Sequence, residues 1–203
     1  MYRMIPTKPA ASHELVLFHS ALGRRPAVHA FADRLRAAGH TVHTPDLFDG
    51  EVFDDLDAGV RKRDAIGIPG LIGRAQAAVA ALPANLVYAG FSMGAAPAAF
   101  LAGTRPGARG AVLMHGAIPP AAWGGDGWPP GVPVQVHYAG EDPWVAAELV
   151  AGLEAAVRAA GARCDVHVYP GAGHLFADDG APEYDAAATA GMLERVLGFV
   201  AGL

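Results

Sequence analysis

The chain is poor in several residue types, and each shortage closes a class of explanation. Among its 203 residues there is one cysteine, Cys164. An internal disulfide is excluded, and so is a cysteine-based metal cluster. Lysine is nearly absent: Lys8 and Lys62 stand against thirteen arginines, which with the abundant alanine reads as coding bias. Charged residues make up 17% and the net charge is -5. A non-specific binder of nucleic acid or of an acidic membrane needs a basic face, and this balance does not supply one. No apolar run reaches the roughly 18 residues of a membrane span. The opening stretch, Met1 to Pro9, lacks the apolar core of a secretory signal, so a cytoplasmic location is expected.

What is plentiful is apolar residue, at 52%. That argues against disorder. A chain of this length buries about 70% of its unfolded surface and needs no staple. One domain spanning residues 1–203 is expected.

Short apolar runs alternate with alanine-rich amphipathic stretches. Strands are expected at Glu14–His19, Thr41–Thr44, Leu86–Gly90, Gly110–His115, Val132–Tyr138 and Cys164–Tyr169. Helices are expected at Pro26–Ala38, Leu71–Leu82, Met93–Ala102, Val145–Ala160 and Glu183–Val200, with Gly39 and Gly161 as stops. Residues 46–70 read as irregular. Their charges (Asp54, Asp55 and Asp57, then Arg61, Lys62 and Arg63) read as a solvated face. Residues 118–131 form a Pro/Gly/Trp loop. Strands separated by helices make an α/β fold, a mostly parallel sheet with helices on both faces. Such folds place their sites at the carboxyl ends of the strands.

Just after the Leu86 strand comes Gly90-Phe91-Ser92-Met93-Gly94, followed by a helix. This is the G-x-S-x-G pattern of a nucleophile on a sharp strand-to-helix turn. A Cβ two residues either side would clash there. The turn exposes the hydroxyl and aims backbone N–H groups at the same point. The only serines are Ser12, Ser20 and Ser92, and glycine is 26 of 203. The motif is therefore expected by chance about 0.05 times.

A serine needs a base, and the base an orienting acid, in the chain order Ser, Asp or Glu, His. His167 lies inside a strand. His174, in Gly171-Ala-Gly-His-Leu-Phe176, follows the last strand and is the expected base. Asp142 directly follows the Val132 strand and is the expected acid. Asp126 sits in the long loop, Asp165 inside a strand, and Glu141 should point the other way. The oxyanion donors are expected to be the N–H of Met93 and, from the loop after the first strand, that of Ala21. Ser20, Leu22, His115, Trp123, Trp144 and Phe176 are expected to line the substrate pocket. The remaining histidines (His13, His19, His29, His40, His43 and His137) show no ligand spacing, so no metal is expected. No glycine-rich phosphate loop is present either.

At this point the chain resembles the dienelactone hydrolase family of α/β-hydrolases over nearly its whole length. The resemblance rests on Pro45-Asp-Leu-Phe48, on Gly90–Gly94, on Gly140-Glu-Asp-Pro-Trp-Val145, and on Tyr169-Pro-Gly-Ala-Gly-His-Leu-Phe-Ala177. It implies a compact sheet without a lid domain, no cofactor, and hydrolysis of small esters or lactones by Ser92, Asp142 and His174. The chain departs from the family pattern at three places. Ser92 stands where dienelactone-opening members carry cysteine, Ser20 where they carry a glutamate, and Asp178 where they carry a carboxylate-binding arginine.

The expected function is cleavage of small carboxylic esters or lactones through an acyl-enzyme. The partner is a small molecule, and the chain is expected as a monomer or homodimer. Neutral short-chain esters are expected to beat anionic lactones, because Asp178, Asp179 and Glu141 would repel an anion unless Arg24 or Arg25 reaches into the pocket. A thioesterase or acyltransferase would use the same triad, and a non-catalytic binding module would keep only the fold.

Overall fold

The computed structural model describes residues 11–171 and 173–203. Six parallel strands form one sheet in the order β2-β1-β3-β4-β5-β6. They are β1 (Glu14–Phe18), β2 (Thr41–His43), β3 (Leu86–Phe91), β4 (Gly110–Met114), β5 (Val134–Ala139) and β6 (Cys164–Tyr169). The helices are α1 (Pro26–Ala37), α2 (Leu56–Val79), α3 (Ala95–Thr104), α4 (Ala147–Ala159) and α5 (Ala186–Ala201). Alternation along the strands feeds two cores. Leu15, Leu17, Val87, Val112 and Met114 meet Phe31 and Leu35 of α1 and Val196 and Phe199 of α5. Val16, Phe18, Tyr88, Leu113 and Val136 meet Leu71 of α2, Leu101 of α3 and Leu153 of α4. Gly39 and Gly161 take φ of +96° and +72° just past α1 and α4, the left-handed turn that ends a helix.

The chain runs outward from β1 to β2, then crosses back to β3 beside β1. This reversal opens a crevice at the carboxyl ends of β1 and β3, where open α/β sheets place their sites.

The expected irregular stretch at 46–70 is corrected. From Leu56 it is helix, begun by the Asp55 side chain, which accepts the Ala58 N–H at 3.0 Å. The helical spacing is masked because its first half buries a single residue, Gly59, while Leu56, Val60 and Ile66 are only partly covered. Gly67 then breaks the helix at φ 73° and ψ 156°, and Pro69 follows inside the second half. The later boundaries shift for local reasons. β5 starts at Val134 rather than Val132, since Pro133 has no N–H to give the ladder. α5 starts at Ala186 rather than Glu183, where Asp185 accepts the Ala188 N–H at 2.9 Å. A short 3-10 turn, Pro120–Trp123, interrupts the 118–131 loop.

Candidate active site

Ser92 sits at the turn between β3 and α3 with φ 50°, a left-handed backbone for a non-glycine residue. The two glycines of the motif make the turn possible. A Cβ on Gly90 would lie 2.0 Å from the carbonyl oxygen of Gly94. A Cβ on Gly94 would lie 2.6 Å from the oxygen of Phe18 and 2.7 Å from that of His19. The start of the helix is thus pressed against the end of β1.

His174 and Asp142 arrive on the loops after β6 and β5. Ser92 Oγ lies 2.7 Å from His174 Nε2, and His174 Nδ1 lies 2.7 Å from Asp142 Oδ2. The carboxylate accepts, so Nδ1 carries the proton and Nε2 is free to accept from the serine hydroxyl. Asp142 Oδ1 accepts the Trp144 N–H at 2.9 Å, which fixes the carboxylate's rotation. Asp142 and His174 are buried, while Ser92 keeps partial access to solvent. Glu141 is exposed, Asp126 is exposed in its loop, and Asp165 stays inside β6.

The loop after β1 is held by a histidine whose role the sequence did not reveal. His19 is fully buried, donates from Nδ1 to the Ser20 carbonyl at 2.7 Å, and accepts the Leu47 N–H on Nε2 at 2.9 Å. Burial holds it below the usual histidine range, so it stays neutral. Asp46 accepts the Phe48 N–H at 2.8 Å, which gives Pro45-Asp-Leu-Phe48 its turn. On the other side, a Cβ on Gly59 would lie 2.0 Å from the Ala21 carbonyl oxygen, so the loop rests against α2.

A cleft of about 150 Å³ opens over Ser92. Met93, His115 and His174 line it beside the serine, and its walls are Ile68, Ile118, Trp144, Val145 and Leu149. The rim is apolar and open: Trp144 is 48% exposed and Ile68 46%. Arg63 is the one charged residue among the described lining, and its guanidinium meets Asp64 at 2.8 Å. Sequence reading missed Arg63 and Ile68, which line the cleft from either side of the break in α2 at Gly67.

Of the expected pocket residues, the structure brings His115 and Trp144 to the cleft. Trp123 turns away and packs edge-on against Phe100 of α3, with ring centres 5.8 Å apart. Leu22 is buried with Leu175 and Ala181. Phe176 is fully buried behind the site, against His115 and Tyr169. Ser20 lines a small separate cavity with Val28, Phe91, His115, Leu175 and Asp178, and its Oγ accepts the Leu22 N–H at 3.2 Å.

The expected repulsion of anions loses its basis. Asp178 faces that small cavity and pairs with Arg25 at 3.5 Å, while Asp179 is exposed in a groove beside α1 and α5. Arg24 reaches the Thr44 carbonyl at 3.3 Å instead of the pocket. Among the described residues no three His, Cys, Asp or Glu side chains come together as a metal-ligand set, and no helix is long and apolar enough to cross a membrane.

A parallel sheet with a serine elbow and a buried His–Asp pair at its carboxyl edge defines an α/β-hydrolase. The family model for the dienelactone hydrolase family matches residues 1–202. The chain belongs to that family and is a hydrolase. Among solved structures it is similar to P91, a dienelactone hydrolase-like promiscuous phosphotriesterase from metagenomic libraries: 25% identity, TM-score 0.77, covering 94% of this chain and 86% of that one. It also shares the fold of esterase 2 of Thermogutta terrifontis, solved with butyrate bound: 20% identity, TM-score 0.67, covering 99% and 87%. A carboxymethylenebutenolidase candidate of Escherichia coli (strain K12) is 38% identical over 65 residues. That match spans 32% of this chain and about a quarter (24%) of that relative's length.

Proposed function

We propose that the protein hydrolyses small carboxylic esters or lactones through an acyl-serine intermediate. The observation that carries this reading is the continuous chain from Asp142 through His174 to Ser92, with both links at 2.7 Å. His174 Nε2 takes the hydroxyl proton as Ser92 Oγ attacks the ester carbonyl. The N–H groups of Met93 and Ala21 hold the oxyanion. His174 then gives its proton to the departing alcohol. Water enters, loses a proton to the same nitrogen and releases the acid. Asp142 keeps the ring in the productive tautomer and stabilises the imidazolium.

The narrow cleft and its apolar walls favour a short acyl group. Arg63 on the rim supports a second reading, in which the substrate also bears a carboxylate. The carboxymethylenebutenolidase assignment of the Escherichia coli relative agrees with that class.

One panel tests both. p-Nitrophenyl acetate and butyrate should be turned over, and Ser92→Ala should lose several orders of magnitude in kcat with the fold unchanged. A serine-directed phosphonate should label the wild type and not Ser92→Ala. Full turnover by Ser92→Ala overturns the mechanism. A preference of more than tenfold for a carboxylate-bearing dienelactone at low ionic strength, about 1.4 kcal/mol, would select the second reading.

A further inference from the structure

Two of the three tryptophans serve the fold. Trp123 packs edge-on against Phe100. Trp128 is buried, and its Nε1–H donates to the Val132 carbonyl at 2.7 Å. Trp144 keeps nearly half of its surface in water, on the rim of the catalytic cleft. Ile68 and Leu149 line the same cleft and are exposed too. Six large apolar residues are exposed among the described residues, and these three are half of them. Single apolar side chains scattered over a surface need no explanation, but a group of them at a cleft marks a place that an apolar ligand covers.

The ring's place beside the triad decides which half of an ester covers it. Trp144 lies in the loop after β5, two residues past Asp142, and Leu149 lies in the first turn of α4. The Trp144 N–H is held by Asp142 Oδ1 at 2.9 Å, so its backbone is tied to the acid. Its ring centre is 5.8 Å from that of His174, with 36° between the planes. The exposed ring therefore stands next to the base.

In acylation His174 Nε2 takes the serine proton and passes it to the bridging oxygen of the ester, which departs with the alcohol. That oxygen has to come within about 3 Å of Nε2. The acyl carbon stays on Ser92, so the alcohol is the half brought beside His174 and hence beside Trp144. An indole face takes a second aromatic ring in an offset stack and gains more than apolar contact alone. Resting on the ester-hydrolase reading above, we propose that Trp144 is a specificity-determining residue for the leaving group. Its exposed ring stacks on the alcohol half of the substrate and selects esters of aromatic alcohols over those of small alkyl alcohols.

The test uses benzyl, cyclohexylmethyl and methyl butyrate, each kcat/KM divided by the rate of hydrolysis by hydroxide. All three form the same butyryl-enzyme, so a difference in kcat/KM arises before the alcohol leaves. The wild type should prefer benzyl over methyl at least fivefold and benzyl over cyclohexylmethyl at least twofold. A smaller first ratio overturns the proposal. A smaller second ratio means that the rim reads apolar bulk and overturns the selection of aromatic alcohols. Trp144→Ala keeps the main-chain N–H that holds Asp142 and should lower the benzyl-to-methyl ratio at least threefold. Trp144→Leu, apolar without a ring, should do the same and decides the matter if the alanine variant does not fold. Trp144→Phe should keep more than half of the wild-type ratio. Ratios outside these bounds refute the stacking role. Methyl 3-phenylpropanoate against methyl butyrate puts the ring on the acyl side instead. If Trp144→Ala lowers that ratio more than the benzyl one, Trp144 serves the acyl half and the proposal falls. Turnover of p-nitrophenyl butyrate with benzyl butyrate untouched also overturns the proposal and leaves the ester-hydrolase reading standing. No turnover of either overturns that reading.

Discussion

Replacing Asp142 by asparagine keeps the shape of the site and changes one proton. Both carboxylate oxygens are engaged, Oδ2 by the His174 ring at 2.7 Å and Oδ1 by the Trp144 N–H at 2.9 Å. The side chain is fully buried, so water cannot correct a mismatch. An asparagine must turn its amide oxygen to Trp144, because the opposite orientation sets two donors face to face. Its NH2 then points at His174 Nδ1 and requires that nitrogen to be bare. The proton moves to Nε2, which now donates to Ser92 Oγ and cannot take its proton. To react, the ring must return to the productive tautomer against the amide. That forfeits a charge-assisted hydrogen bond, about 1.5–3 kcal/mol, and leaves a buried donor unmet, about 1–3 kcal/mol. Together these raise the barrier by roughly 2.5–6 kcal/mol, or about 10² to 10⁴ in rate. The drop known for this change in serine proteases, about 10⁴, lies at the top of that range. The assay is kcat/KM for p-nitrophenyl butyrate at neutral pH, with circular dichroism to check the fold. A loss of less than tenfold would mean that Asp142 does not set the tautomer.

Gly94→Ala tests the elbow by size alone. Its methyl would meet the Phe18 and His19 carbonyl oxygens at 2.6 and 2.7 Å, so urea unfolding should show a loss of roughly 1–3 kcal/mol and ester turnover should fall with it. Wild-type stability and activity in the variant would show that the helix start can move away from β1. Stability should also fall in acid. Burial lowers the His137 pKa from 6.5 to about 3, so between those values the unfolded chain binds the extra proton. The contribution is full above pH 6.5 and lost on acidification through that window, at up to about 1.4 kcal/mol per pH unit. From pH 7 to pH 5 this one residue should cost about 2 kcal/mol. Urea midpoints should therefore change less with pH in His137→Gln, and an equal slope in both proteins would refute the assignment.

That Ser92, His174 and Asp142 come together was legible because they sit where the fold's rules put them. Gly90 and Gly94 flank Ser92 at a turn with no room for a Cβ on either, and Asp142 and His174 lie in the loops that leave β5 and β6. What surrounds the chemistry was less legible. Trp123 stands near a strand end in sequence, but its loop turns the ring onto α3. His19 looked like one more strand histidine, since its partner at Leu47 is 28 residues away. The first half of α2 hid because a helix that buries only Gly59 leaves little apolar period to read. Arg63 and Ile68, on either side of the break at Gly67, carried no pattern in the sequence that placed them at the cleft.

That weakly buried half-helix separates two kinds of inheritance in the molecule. Ser92, His174 and Asp142 sit on a turn and loops that leave strands whose side chains fill two cores, so most changes beneath them threaten the fold. The stretch from Leu56 to Ile68 contributes a wall of the cleft while giving the interior little more than the contact at Gly59. Mutations there, Gly59 apart, are expected to change the wall of the cleft while leaving Ser92, His174 and Asp142 in place. A designer seeking a new substrate range therefore has a place to begin that leaves the sheet alone.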